Sequence, residues 1–182
     1  TMVNNLENGI TTYWHENGKI AREVNLKNGD FVDKFFTDCD EAGSCRKVFW
    51  EFFGTSNNIF GWPLEDSQYE ESIIIPEKGL SIRGKNSGQR IGTYINLPIE
   101  QSDNFSIETK LEYKSGEKRF SHGLIWGMKD WNNYYTFAVS GNGSYNISGK
   151  MEGIWIPVKE WTQNRYVNNR TNVLKVLKLN DK

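Results

Sequence analysis

The chain has 182 residues, a formal net charge of -1 and an aromatic fraction of 14% that includes 7 Trp. Charges that nearly cancel exclude a broad cationic surface for nucleic acid or anionic lipid as the main partner, and no apolar run reaches the length of a membrane span. Many aromatics without an excess of Leu and Ala point to an all-β protein.

The opening stretch TMVNNLENG carries neither the basic end nor the apolar segment of a secretion signal, while an extracellular or cell-surface location is the one expected. Between residues 9 and 43, short aromatic runs are separated by Asn17-Gly18 and again by Asn28-Gly29, the dipeptide that turns a tight hairpin. Thr11 to Trp14, Lys19 to Leu26 and Phe31 to Thr37 are therefore expected as successive strands of a meander. Cys39 and Cys45 either close a small disulfide loop or stay free. A boundary is expected near residues 44–47, giving an N-terminal segment 1–47 and a larger domain 48–182.

Phe49, Trp50, Phe52 and Phe53 form a strand or an aromatic plug. Ser72 to Ile75, Gly79 to Arg83 and Thr93 to Leu97 are expected strands, the last ending at Pro98. In the stretch 103–149, Phe105, Ile107, Leu111 and Tyr113 alternate with Ser106, Glu108, Lys110 and Glu112. That is a half-buried strand. Residues 123–127 form a second, Tyr135, Phe137 and Val139 alternate in a third, and Gly141-Asn142-Gly143 turns the chain into a fourth with Tyr145 and Ile147. Gly153 to Val158 with Trp161, and Asn172 to Leu179, complete the set.

Two resemblances attach to these residues. The aromatic pair Tyr13-Trp14, followed by Asn-Gly-Lys-Ile at 17–20 and a second Asn-Gly, resembles the MORN-variant repeat over about one and a half repeats, with Asp33 in place of a glycine. It implies a ribbon of hairpins that contacts proteins or lipids. The succession Asp-Asn-Phe-Ser-Ile-Glu, Gly-Leu-Ile-Trp-Gly, Asn-Tyr-Tyr-x-Phe, Gly-x-Tyr-x-Ile, Trp161 and Asn-x-Leu-x-Val is similar to the concanavalin A-like lectin and glucanase superfamily, in its laminin-G-like bacterial form, over residues 48–182. This resemblance implies a jelly roll, a two-sheet antiparallel β-sandwich, and the strand at 172–178 is then followed by none of the strands that usually close it. An open sheet edge, available to a partner strand or to a second copy, is the corresponding expectation.

The glucanases of that superfamily carry Glu-x-Asp-x-x-Glu on one strand, and here no Asp has a Glu two residues before it. Glu108 and Glu112 read as solvated charges, and His15 and His122 lack a Ser or Cys signature beside them. Catalysis is not expected. Two His and two Cys, scattered, supply no zinc set, and no cofactor is implied. Asp130 and Asn132 in KDWNNYY could offer oxygens to calcium, although an Asx-stabilised turn explains them equally. Sugars are gripped by flat rings and amides, which makes Trp131, Asn133, Tyr134 and Trp155 the candidate ligand-binding residues. Tyr134 leads because it lies opposite the core face of Tyr135 and Phe137, whereas Trp126 and Trp161 are expected in the core. The expected function is non-catalytic recognition of a glycan or another extracellular ligand; the alternative is a protein-interaction module using the hairpins and the open edge. Arg165, Arg170, Lys175, Lys178 and Lys182 make the last part locally basic and read as a solvated face.

Overall fold

The computed structural model describes residues 2–3, 6–28, 30–31, 36–49, 58, 61–76, 78–85, 91–97, 99 and 103–179. Among them the chain is all-β, built of antiparallel sheets of the β-sandwich class with no helix. It divides into two compact units, residues 1–96 and 97–182. Residues 48–96 therefore group with the N-terminal hairpins.

In the first unit, β1 (Met2–Val3) pairs with β2 (Leu6–Glu7). A second sheet is formed by β3 (Gly9–Trp14), β4 (Ile20–Lys27), β6 (Phe36–Cys39) and β7 (Cys45–Val48), in that order, with the short β5 (Asp30–Phe31) also on β4. The expected meander is present. Gly18 at φ 79° and Asn28 at φ 54° take the left-handed conformation that Asn-Gly turns require. Asp33 lies outside the described residues, as do Trp50, Phe52 and Phe53. Val24, Leu26 and Phe36 are the core of this sheet, with Val48 against them. Cys39 and Cys45 face each other across β6 and β7 and are joined by a disulfide. Asp38 accepts Arg22 and Arg46 at 3.2 and 2.9 Å, and the Arg46 guanidinium holds its carboxyl below the ordinary range. A separate hairpin pairs β8 (Glu70–Ile75) with β9 (Gly79–Gly84). Among the described residues Thr93 to Leu97 does not form the strand expected: the Thr93 hydroxyl donates to the Pro63 carbonyl, and Ile99 N turns back to Leu97 O.

In the second unit, β10 (Phe105–Glu112) pairs with β15 (Thr171–Lys178). Between them in sequence runs a four-stranded meander of β11 (Ser121–Asp130), β12 (Asn133–Ser140), β13 (Ser144–Met151) and β14 (Ile154–Gln163). Alternation along β10 is strict: odd-numbered residues are half-buried and even-numbered ones exposed. Its partner buries Asn172 and Leu174 on the same face. That face packs on the meander, since a cavity of about 190 Å³ is lined by Leu174 and Asn172 from β15 and by Phe137, Val139 and Tyr145 from β12 and β13. Val139 is 1% exposed and sits at the centre of this core. Gly123 explains how closely β11 lies on β12, because a Cβ there would meet Ala138 Cα at 2.8 Å as well as the Phe137 carbonyl.

Two expectations about tryptophans need correcting or refining. Trp161 is not core: it is 50% exposed on β14, every residue of which is exposed except Thr162. The reason lies in pairing, because among the described residues β14 pairs with β13 alone and its register against β13 shifts twice, on either side of Ile147. Trp126 is half-buried and stacks on Tyr135 with ring centroids 5.7 Å apart.

Candidate functional site

The turn between β11 and β12 and the turn between β13 and β14 lie at the same end of the meander. Asp130 caps the first, accepting the Asn132 amide at 2.7 Å and the Asn133 side-chain amide at 3.0 Å. These donors, led by the Asn132 N–H, hold its carboxyl below the ordinary carboxylate range. The second turn runs through Glu152 at φ 51° and Gly153 at φ 82°, the paired left-handed conformation of a two-residue hairpin loop. Glutamate is a poor residue for that conformation. Its amide is compensated by a bond to Asn133 Oδ1 at 3.1 Å, while Gly153 N donates to Asn132 O at 3.1 Å. Lys150 Nζ donates to Trp131 O at 2.7 Å, a third tie between the two turns.

On this frame the structure assembles three of the four candidate residues into one aromatic cluster. Tyr134 stands between the two indoles, edge-to-face with Trp131 at 6.1 Å and with Trp155 at 5.7 Å between centroids. Tyr134 itself is buried at 7% exposure, whereas Trp131 is 48% and Trp155 38% exposed. The tyrosine is thus the support and the indoles are the accessible rings. Lys150 Nζ lies 6.0 Å from the Trp155 ring and supplies a cation to the fringe. Asn133 is half-buried and occupied on both sides of its amide, by Asp130 and by the Glu152 N–H, so it fixes the turns and does not present a free amide.

The same face of the sheet carries small polar residues. Ser140, Ser144, Asn146 and Ser148 are buried and satisfied locally: Ser148 Oγ donates to Asn146 Oδ1 at 2.6 Å, and Asn146 Nδ2 to Lys159 O at 2.7 Å. Asp130 and Asn132 act as turn residues, and among the described residues no group of three or more His, Cys, Asp or Glu is placed to hold a metal ion.

Glu70 is a buried ionisable group and His122 a half-buried one. Glu70, on β8, is 7% exposed, and burial pushes its carboxyl above the ordinary range, with Glu65 adding a like charge and Gly92 N–H opposing it. The alternation Glu70, Ser72, Ile74 placed it on an inward face, but a leading glutamate gives no warning of burial. His122 is half-buried and stacks on Tyr113 at 5.6 Å; burial lowers its pKa, and neither ring nitrogen nor the Tyr113 hydroxyl has a hydrogen-bond partner among the described residues.

No protein-family model matches the chain, and no curated protein or solved structure does so either. The likeness to concanavalin A-like domains and to MORN-variant repeats accordingly rests on the sequence motifs alone.

Proposed function

We propose that the second unit is a non-catalytic carbohydrate-recognition module whose ligand rests on Trp131 and Trp155. The observation that carries this reading is the pair of half-exposed indoles held in fixed orientation by a buried tyrosine. Exposed flat rings pack against the C–H faces of sugars, and their rigidity means that little conformational entropy is lost on binding. The concanavalin A-like motifs in the sequence support the same class, and the disulfide between Cys39 and Cys45 agrees with an oxidising, extracellular setting. The test is a glycan array followed by titration with the best ligand. Trp131→Ala and Trp155→Ala are each expected to weaken binding by at least about tenfold, the usual cost of a buried aromatic anchor. A silent array, or binding unchanged in both variants, refutes the reading.

A second reading has an observation of its own. The edge strand β14 exposes Ile154, Ile156, Val158 and Trp161, which favours a protein-interaction surface, with a partner or a second copy against that strand. Pro157 and the two register shifts blunt the strand's own hydrogen-bonding edge, so such a contact would use side chains more than added β pairing. Sedimentation equilibrium over a hundredfold range of concentration, with Ile156→Lys and Val158→Lys as controls, tests self-association; a monomer throughout excludes the second copy.

A further inference from the structure

We infer that the opposite end of the second unit is a separate anion-binding surface that takes an acidic sugar. Three segments converge there. The loop 113–120 follows β10, the turn 141–143 joins β12 to β13, and the loop 164–170 precedes β15. The Lys118 stem lies over Gly141, where a Cβ would meet its Cα and Cβ at 3.2 Å. Asn164 N bonds Gly143 O at 3.0 Å, and Tyr113 N bonds Arg170 O at 2.6 Å. Both loops are therefore anchored to the same turn or to each other, and their cations share one end of the sheet.

The charge at this end is unbalanced. Its two glutamates are spoken for: Glu112 pairs with Lys114 at 2.7 Å and Glu117 with Arg119 at 2.6 Å. Lys118, Arg165 and Arg170 form no ion pair with any acid among the described residues. In a chain whose net charge is -1 this is a local excess, since the remaining surface must carry the balancing acids. An open cavity of about 360 Å³, roomy enough for a monosaccharide, is lined by Lys114, Lys118, Asn169 and Arg170 together with Tyr113, Ser115 and Gly116. On the same loop as Asn169 and Arg170, Tyr166 is 76% exposed, with the Arg165 guanidinium 4.8 Å from its ring centroid and bonded to its hydroxyl at 2.7 Å.

Cations and an amide in a concave site match a sugar bearing a carboxylate or sulfate: the oxyanion meets Arg170 and Lys118, and the Asn169 amide meets a hydroxyl. The patch is confined to one end of one unit, too small for the extended phosphate backbone of a nucleic acid, which needs a basic stripe. The eight-residue strands of the meander, at about 3.3 Å per residue, separate this end from the Trp131 cluster by roughly 25 Å. The site is thus independent of the aromatic one.

Calorimetric titration of the whole chain with a hexuronate, a sulfated hexasaccharide, an uncharged hexasaccharide and a single-stranded hexanucleotide tests it. Either acidic sugar is expected to bind and to weaken at least tenfold between about 50 and 500 mM salt, because exposed charges are screened; the ratio of the two identifies the oxyanion. The triple variant Lys118→Gln, Arg165→Gln, Arg170→Gln is expected to lose at least tenfold, whereas Lys78→Gln, an exposed cation of the first unit, leaves this binding unchanged. Amide shifts of the wild-type chain on adding hexuronate should fall within 113–120 and 164–170, which keeps the test intact if the triple variant misfolds. No binding of either acidic sugar, acidic-sugar binding that salt and the triple variant both leave unchanged, hexuronate shifts confined to the Trp131 end, or tighter binding of the oligonucleotide overturns the inference.

Discussion

Tyr134 makes the sharpest test of the aromatic cluster, because it is buried while both of its ring partners are half-exposed. Replacing it by alanine removes a large buried side chain and leaves a cavity that two indoles can only partly fill. Such truncations cost about 3–5 kcal/mol. Within that sum, two edge-to-face contacts at 6.1 and 5.7 Å contribute about 0.5–1.5 kcal/mol each. For a chain of this length, about 2–4 °C per kcal/mol converts the loss into a melting temperature lowered by roughly 6–20 °C. Tyr134→Phe keeps both ring contacts and is expected to stay within about 1.5 kcal/mol of the parent, the net worth of a hydroxyl hydrogen bond. Urea unfolding followed by tryptophan emission reads both variants, and Tyr134→Ala should also shift the native emission, since Trp131 and Trp155 lose their common support. A Tyr134→Ala protein within 1 kcal/mol of the parent, or a phenylalanine variant as damaged as the alanine one, would refute the packing argument.

Three further outcomes are expected. Burial lowers the His122 pKa below its ordinary 6.5, so the unfolded chain takes up the proton first and stability should fall as pH drops below about 6.5. His122→Phe, which preserves the stack on Tyr113, should flatten that slope; an unchanged pH profile of urea midpoints would count against it. Glu70 behaves in the opposite sense, since burial raises its carboxyl above the ordinary 4.5 and favours the neutral form in the fold. Its contribution is present below that value and lost as pH rises through the folded pKa, so Glu70→Gln, which still accepts the Gly92 amide, should raise the melting temperature at pH 7 and lose its advantage in acid. Finally, the paired change Cys39→Ser, Cys45→Ser should cost about 2 kcal/mol by the loop-closure relation for a short loop, and mass spectrometry of the unreduced protein should find no free thiol.

The second unit was legible in its residues because period two leaves a strong mark when one face is buried: Phe105 to Glu112 and Tyr134 to Val139 are strands where the alternation puts them. The turns were legible for a different reason, since Asn-Gly and Gly-Asn-Gly carry their own backbone preference. Local pattern does not report which strand lies at an edge. Trp161 is therefore exposed despite its apolar surroundings, and Thr93 to Leu97 alternates like a strand yet forms none among the described residues. The same blindness affected the site. Trp131, Tyr134 and Trp155 could be named from their chemistry, but their order of exposure depends on two turns meeting, which pairs Lys150 with Trp155 across β13 and β14. Glu70 gave no signal because burial of a charged residue type is a tertiary fact. The basic residues Arg165 and Arg170 were visible as a run, while their convergence with Lys118 depends on the turn at Gly141.

The ties between the two turns beneath the indoles also bear on how this surface can change over time. Asn132 O, Asn133 Oδ1 and Trp131 O each receive a donor from 150–153, so neither turn can gain or lose a residue without stranding its neighbour's amides. Length variation would have to arrive in both hairpins together, whereas the identity of the exposed rings is free to vary one residue at a time. Such an arrangement lets selectivity drift by point substitution on a rim whose geometry is held constant.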